Sequence, residues 1–599
     1  MAPAEPAGQE LVEFDAGGPG GPLTLPMTWG QLSIRSSIEW LGPDAHYFNI
    51  PSLLPVPRGA TLTDVVRAVR TVMERHQGLR TRYVTKVGPE QEVHAAGGMP
   101  LPVWEAPPGE VAAFADTVLR DLAAVTFSER EWGWRCAVVT EQGVPRRLAV
   151  VLNHQAADGW AGRLVTDQLT RALRARAGAG AAEPAWQPRD QVAYERTGEG
   201  ARRSELSLRA WQRELLAVPR SMFDFPTRPP ATPRFQKLAM DSRAVALAAR
   251  LVAERARVTT SAVLLTASAA VLSAFTGHRQ VVMQLIVANR FDAARRSLVA
   301  PMAQDGLFVL DLEGASLDQA ARRTYRSALA TYRYGFYDPA AIAGLRRDWA
   351  SRRGGHLDLS GYFNDARFQD RWEPAPHAAP SPEGLRKLTT ATTVEVIGGW
   401  ARQDTKFFVS TTFAPGTCRL NLMTDTAFVP PDQTRAMLRA VEGLLVQAAF
   451  TDLDPFPVIG SLPPAPVARG AEWVRCCHDW VDLPATRAVL RAALRDAKLG
   501  LFAEPATAAA AGTTPDAAPG EDGSKLVAYL AAPEPVSPAE LHATCLTAIG
   551  SRTDVLTPHE YVVCAGAPAD PADLAGWRAR PVLARGSGRP PGVSSGAER

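Results

Sequence analysis

Helical spacing is plainest over residues 61–76, where Leu62, Val65, Val66, Val69 and Met73 share one face and Thr61 stands at the N-cap position. Residues 132–140 and 147–152 instead read as two strands, joined by a turn around Gly143 and Pro145. The second strand runs into Asn153-His154, and the chain turns at Asp158-Gly159. A helix over residues 160–174 then buries Leu164, Val165, Leu169, Ala172 and Leu173. Residues 175–189 are rich in Ala, Gly and Pro and form a connection. A helix through Trp211 and Leu215 comes next, and a proline-rich crossover covers residues 225–234. A second α/β region spans residues 237–456, with an apolar helix over 260–275, a strand over 280–287, a helix around 319–331 and a closing helix over 431–449. Two regions of similar size, each with strands and helices, predict two lobes facing a cleft.

Toward both ends the periodicity weakens. Residues 1–26 read as a flexible leader, since residues 17–22 are all Gly and Pro. In the last 140 or so residues, proline-rich connections break up short apolar segments. Residues 505–520 lack apolar periodicity and predict a disordered loop; residues 525–530 predict a strand, and residues 537–549 a helix. Residues 586–599 read as a disordered tail.

At 599 residues the chain is too long for one ordinary core. Its 46% hydrophobic and 21% charged residues are those of a globular protein, and a net charge of +3 supplies no clustered basic face for nucleic acid. Six cysteines lie scattered, and the adjacent Cys476-Cys477-His478 lacks the spacing of metal ligands, so no metal is expected. Residues 1–26 lack a secretory pattern, and no apolar run reaches bilayer length. The expected location is the cytoplasm, with no membrane partner.

His154 comes directly after an apolar strand and stands four residues before an Asp-Gly turn. A strand end is a rigid platform, and a histidine there can take a proton from an amine or hydroxyl, or hold it in line. Asp158 reads either as the partner that orients the histidine or as half of a structural ion pair. Gly159 allows close backbone approach at a helix start, where N–H groups favour a developing oxyanion. No Gly-x-Ser-x-Gly elbow or Cys–His arrangement is present, which points away from a covalent acyl-enzyme, and phosphate-cradling Gly-rich loops are absent as well.

The segment Arg75-His76-Gln77-Gly78-Leu79-Arg80-Thr81-Arg82-Tyr83 closely resembles the Arg-His-x-x-Leu-Arg-Thr-x-Phe motif of nonribosomal peptide condensation domains, and precedes Asn153-His154-Gln155-Ala156-Ala157-Asp158-Gly159 at about that family's separation. Pro26-Met27-Thr28-Trp29-Gly30-Gln31 resembles the family's opening motif. Trp211-Gln212-Arg213-Glu214-Leu215, with residues 226–230, resembles the helix and crossover between its lobes. Leu298-Val299-Ala300-Pro301-Met302-Ala303-Gln304 resembles its latch motif, with Gln304 in place of an asparagine; Gly361-Tyr362-Phe363-Asn364 sits where a Phe-Asn pair often lines the channel. The resemblance covers residues 27–456.

It implies an α/β (α+β) fold of two chloramphenicol-acetyltransferase-like lobes in a V with a central tunnel: an N-lobe over 27–190, an inter-lobe helix and crossover over 191–236, and a C-lobe over 237–456. By position His154 becomes the catalytic histidine and Gly159 its companion. Asp158 becomes a structural residue paired with an arginine, for which Arg290 is the candidate, and Asn153, Trp160, Gln304, Tyr362 and Asn364 become channel residues. Asn153 departs from the two adjacent histidines of many members. No bound cofactor is implied, because the donor arrives on the phosphopantetheine arm of an acyl or peptidyl carrier protein supplied in trans. Residues 457–585, through Asp479-Trp480-Val481-Asp482-Leu483 and Lys525-Leu526-Val527-Ala528-Tyr529-Leu530, resemble the small C-terminal subdomain of adenylation enzymes, although that family's closing Gly-Lys segment has no counterpart between Tyr561 and Ala584. Three readings remain open: a stand-alone condensation enzyme forming an amide or ester, a catalytically silent docking protein for carrier proteins, and a coenzyme-A-dependent acyltransferase. The intact His154 and Gly159 favour the first.

Overall fold

The computed structural model describes residues 5–18, 21–84, 88, 90–175, 185–216, 218–367, 381–414, 416–495, 497–505, 524–532 and 535–590. They fall into two compact units. The first joins Met1–Ser207 to two pieces from later in the chain, Val287–Asp305 and Tyr334–Pro339. The second takes Leu208–Ile286, Gly306–Arg333 and the chain from Ala340 onward. The latch-like segment therefore belongs with the first unit rather than with the C-lobe expected over residues 237–456.

The first unit is built on a five-stranded sheet in the order Gly8–Asp15, Ala96–Glu105, Trp134–Glu141, Val144–Leu152, Ile50–Pro55. Helix Leu62–Arg75 starts at a capping box between Thr61 and Asp64 and lays Val65, Val69, Val72 and Met73 into the core. Helix Gly159–Arg174 contributes Ala161, Val165, Leu169 and Leu173 to the same core, which also receives Val299 from the latch segment. The leader is a correction. Gly8–Asp15 pairs along its full length with Ala96–Glu105, and Leu23–Pro26 pairs with Glu90–Val93. Val12 and Phe14 are buried in an alternating strand pattern that the composition of the flanking Gly and Pro residues obscured.

The second unit holds a seven-stranded mixed sheet, in which Phe235–Ser242 lies between Thr417–Asp425 and Thr393–Trp400. Helix Thr260–Thr276 is apolar almost all round because it is buried almost all round, among Arg243–Ala256, Leu317–Arg333 and Pro431–Ala448. Among the described residues no single helix is long and apolar enough to cross a membrane.

The C-terminal stretch of this unit has its own core around a four-stranded sheet: Lys498–Pro505, Ser524–Ala531, Glu560–Cys564, Val582–Gly586. It is bonded directly to Arg220 and Asp224, just before the proline-rich crossover. The Asp224 carboxylate, fully buried, accepts from His278 Nε2 (2.8 Å), Arg469 (3.0 Å) and the Trp480 backbone N–H (2.8 Å). Arg220, equally buried, donates its backbone N–H to Asp479 and its guanidinium to the Thr553 carbonyl. The expected tail also begins in ordered packing, with Arg589 donating to the carbonyls of Thr557 and Pro558. Of the loop expected over residues 505–520, Pro505 ends strand Lys498–Pro505, and residues 506–520, like residues 591–599, lie outside the described residues.

Candidate active site

Strand Val144–Leu152 ends in five fully buried residues, Leu148 to Leu152, so packing fixes where the next residues, Asn153 and His154, must stand. Asn153 then folds the loop. Its N–H donates to the Gly133 carbonyl (3.0 Å), and its own carbonyl accepts from Ala156 (2.8 Å) and Ala157 (3.1 Å). Its side-chain Oδ1 accepts from the Gln155 N–H (2.9 Å), an Asx-type turn. Ala156 and Ala157 are fully buried, and a Cβ on Gly133 would overlap the Ala156 methyl. Gln155 Nε2 donates to the Gln31 carbonyl (2.9 Å), tying the loop to the opening motif. Gln31 is in turn held by Thr28 and Gln91. Asn153, placed on the channel wall from sequence, is thus the residue that shapes the turn.

His154 is presented by that turn, half-buried, with the edge of Phe48 against its ring (centroids 5.9 Å apart, planes at 89°). Its Nδ1 is buried, and no side chain among the described residues hydrogen-bonds that nitrogen. Burial holds its pKa below the ordinary histidine value, against the opposing effects of its own backbone carbonyl and the Asp158 charge. The shift favours the neutral ring.

Asp158 does not bond to His154. It caps helix Gly159–Arg174 by accepting from the Ala161 N–H (2.8 Å). The Arg290 guanidinium grips both its oxygens (2.9 and 3.0 Å), and the N–H groups of Met302 (2.8 Å) and Ala303 (3.3 Å) complete the cradle. Burial alone would push this carboxyl up; Arg290 and the N–H groups of Ala161 and Met302 overcome it and hold the pKa below the ordinary value. Arg290 also donates to the carbonyls of Arg295, Leu298 and Ala300, each at 2.7 Å. One arginine thus gathers the latch segment around one aspartate.

Two glycines let that segment come close. A Cβ on Gly30 would collide with the Pro301 carbonyl, and one on Gly78 with the Val299 carbonyl. Both glycines sit inside the motifs recognised from sequence, where nothing marked what they approach. Gln304, expected on the channel wall, is instead consumed: Nε2 donates to Ser33 Oγ (3.1 Å) and the Tyr337 carbonyl (2.8 Å). Its Oε1 accepts from the Tyr337 N–H and Asn289 Nδ2, both at 3.3 Å. All four hydrogen-bonding positions of the amide are taken, so Gln304 has none to offer a substrate.

Gly159 is exposed as the first residue of its helix, and Trp160, half-buried, donates its indole N–H to the Arg296 carbonyl (3.2 Å). Tyr362 and Asn364 lie on strand Gly361–Asp365 of the second unit, half-buried, with Tyr362 against Phe408 (5.8 Å). Phe48 was missed from sequence because a single aromatic in a short 3-10 turn, Gly42–Phe48, carries no periodic signal. Among the described residues no group of three or more His, Cys, Asp or Glu side chains could hold a metal ion.

Several solved structures share this architecture. Over 72% of this chain and 100% of the other, it superposes on SgcC5 from Streptomyces globisporus with a TM-score of 0.55 at 17% identity. Over 74% of this chain and 99% of the other, it superposes on the first condensation domain of the calcium-dependent antibiotic synthetase with a TM-score of 0.54 at 16% identity. The chain has a condensation-domain fold. Among curated sequences it is 31% identical, over 170 residues and 28% of its length, to CymA, a probable non-canonical nonribosomal peptide synthetase of Salinispora arenicola (strain CNS-205). It spans only 2% of CymA, and 3% and 1% of two further synthetases that it matches. No protein-family model matches the chain. In this condensation fold the loop from Asn153 to Gly159, the Asp158–Arg290 pair and the latch segment form one connected structure inside the first unit.

Proposed function

We propose that the protein is a condensation-type acyltransferase, moving an acyl or aminoacyl group from the phosphopantetheine thioester of a carrier protein to an amine, or to a hydroxyl, in natural-product biosynthesis. The observation that carries this reading is the placement of His154: an imidazole set at the end of a buried strand, its pKa lowered by burial, with no described side chain bonded to its Nδ1. The acceptor nitrogen or oxygen attacks the thioester carbonyl while Nε2 of His154 holds or takes its proton. The new C–N or C–O bond forms, the C–S bond breaks, and the proton leaves with the thiolate. The backbone at Gly159, the first turn of a 16-residue helix, favours the negative charge that develops on the carbonyl oxygen. Asp158 keeps the loop in place and takes no proton. The acceptor is an amine or a hydroxyl, since one imidazole can serve either.

The test incubates acyl-loaded carrier proteins and a panel of amines and alcohols with wild-type protein and with His154→Ala. Product with wild type and a drop of about 100-fold or more in the variant is expected. Undiminished turnover in the variant removes the role given to His154. Carrier binding with no product across the panel favours the docking reading instead.

A further inference from the structure

The chain turns sharply just before Arg290, and the turning residue is not a glycine. Asn289 sits in the left-handed region at φ 54°, where an unbranched polar side chain is tolerated and most others are strained. It is buried, and its side-chain nitrogen donates to the carbonyls of Gly335 (2.9 Å) and Met302 (3.0 Å), with a longer contact to Gln304 Oε1 (3.3 Å). These acceptors come from two separate stretches of chain: the end of the latch segment, at Met302 and Gln304, and the Tyr334–Pro339 piece. A backbone conformation alone would turn the chain. The amide also fixes where the turn stands relative to Met302, whose own N–H binds the Asp158 carboxylate.

We propose that Asn289 is a positioning residue for the His154 loop, acting through Arg290 and Asp158. This rests on reading His154 as the reactive group. The left-handed turn aims Arg290, and the two donor hydrogens of the amide clamp the segment that cradles Asp158. With the clamp in place, the helix that begins at Gly159 and the loop before it have one arrangement. Glycine would preserve the turn and lose the clamp, which separates the two contributions.

The experiment compares wild type with Asn289→Gly and, as a milder variant that keeps one donor, Asn289→Ser. Transfer kinetics are read beside the ring titration of His154, assigned by NMR through the resonance missing in His154→Ala. Expected for Asn289→Gly are a cooperatively folded protein, kcat lower by about tenfold with KM unchanged, and a His154 titration moved up toward the ordinary histidine range as water reaches the loosened loop. Asn289→Ser falls between, and it carries the test if the glycine variant does not fold. An unchanged kcat together with an unmoved titration overturns the proposal. If wild type transfers no acyl group to any acceptor, the proposed function fails on its own. The titration then decides alone: an upward shift in Asn289→Gly supports the positioning role, and an unmoved one overturns it.

Discussion

Replacing Arg290 by methionine removes a guanidinium while leaving an apolar side chain of similar length. Asp158 then keeps the N–H groups of Ala161, Met302 and Ala303 but loses its counter-charge, and both residues are buried in the wild-type protein. Removing one member of a buried ion pair costs about 3–5 kcal/mol, chiefly through the charge left behind. The carbonyls of Arg295, Leu298 and Ala300 also lose the donor they share. Each orphaned carbonyl adds about 1–3 kcal/mol unless water reaches it. With water reaching most of these carbonyls, the loss is roughly 4–6 kcal/mol, a large part of the ~5–15 kcal/mol that holds a typical protein together.

The deficit depends on pH, and its sign can be worked out. In the wild type the Asp158 pKa is held below 3.8, so its contribution is complete above that value and fades as pH falls through the lower, folded one. In Arg290→Met burial is no longer opposed by a cation, and the folded pKa rises above 3.8. The folded variant then keeps a proton that the unfolded chain has released, and its stability falls as pH rises through that window. Urea unfolding, read by circular dichroism at about pH 4.5 and about pH 7.5, reports both effects, and the deficit is larger at the higher pH. Asp158→Asn combined with Arg290→Met should recover part of the loss, because no charge is then stranded. A deficit below about 1 kcal/mol, or one identical at both pH values, would refute the account of the pair.

Two further outcomes rest on buried polar groups. His76, fully buried with Nε2 bonded to Gln168 Oε1 (2.8 Å), has its pKa lowered to about 4 by desolvation and by the neighbouring Arg75. Between about 4 and about 6.5 the unfolded chain binds a proton that the folded protein refuses, so stability is lost on acidification through that window, by roughly 3 kcal/mol; a His76→Leu variant whose unfolding free energy shows the same acid slope as wild type would contradict this. Asp224→Ala strands His278 and Arg469 and frees the Trp480 N–H, so the C-terminal stretch should exchange its amide hydrogens faster and become open to limited proteolysis at the 457–470 connection; unaltered protection there would contradict its role as a clamp.

Local physics alone determines a good deal of this protein. The helix at Leu62–Arg75, the strand into Asn153-His154 and the helix from Gly159 arise from apolar periodicity and capping residues, because those signals act within a few residues of chain. The order of the motifs likewise points to the condensation fold that the solved neighbours share. What periodicity could not supply is partnership at long range. The five-stranded sheet recruits Gly8–Asp15 from a stretch whose flanks look unstructured, since a strand's stability comes from its neighbour more than from its own residues. Gln304 has the chemistry of a substrate contact, and only the folded chain brings Ser33, Tyr337 and Asn289 to exhaust it. The close approaches at Gly30 and Gly78 likewise exist only once a segment more than two hundred residues away is seated on them. Asp158 and Arg290 meet across 132 positions of sequence. Residue types say that such a pair could form; that it is buried, bonded at both carboxylate oxygens and separate from the His154 imidazole is decided by tertiary packing, which sets the dielectric and the distances on which its chemistry depends.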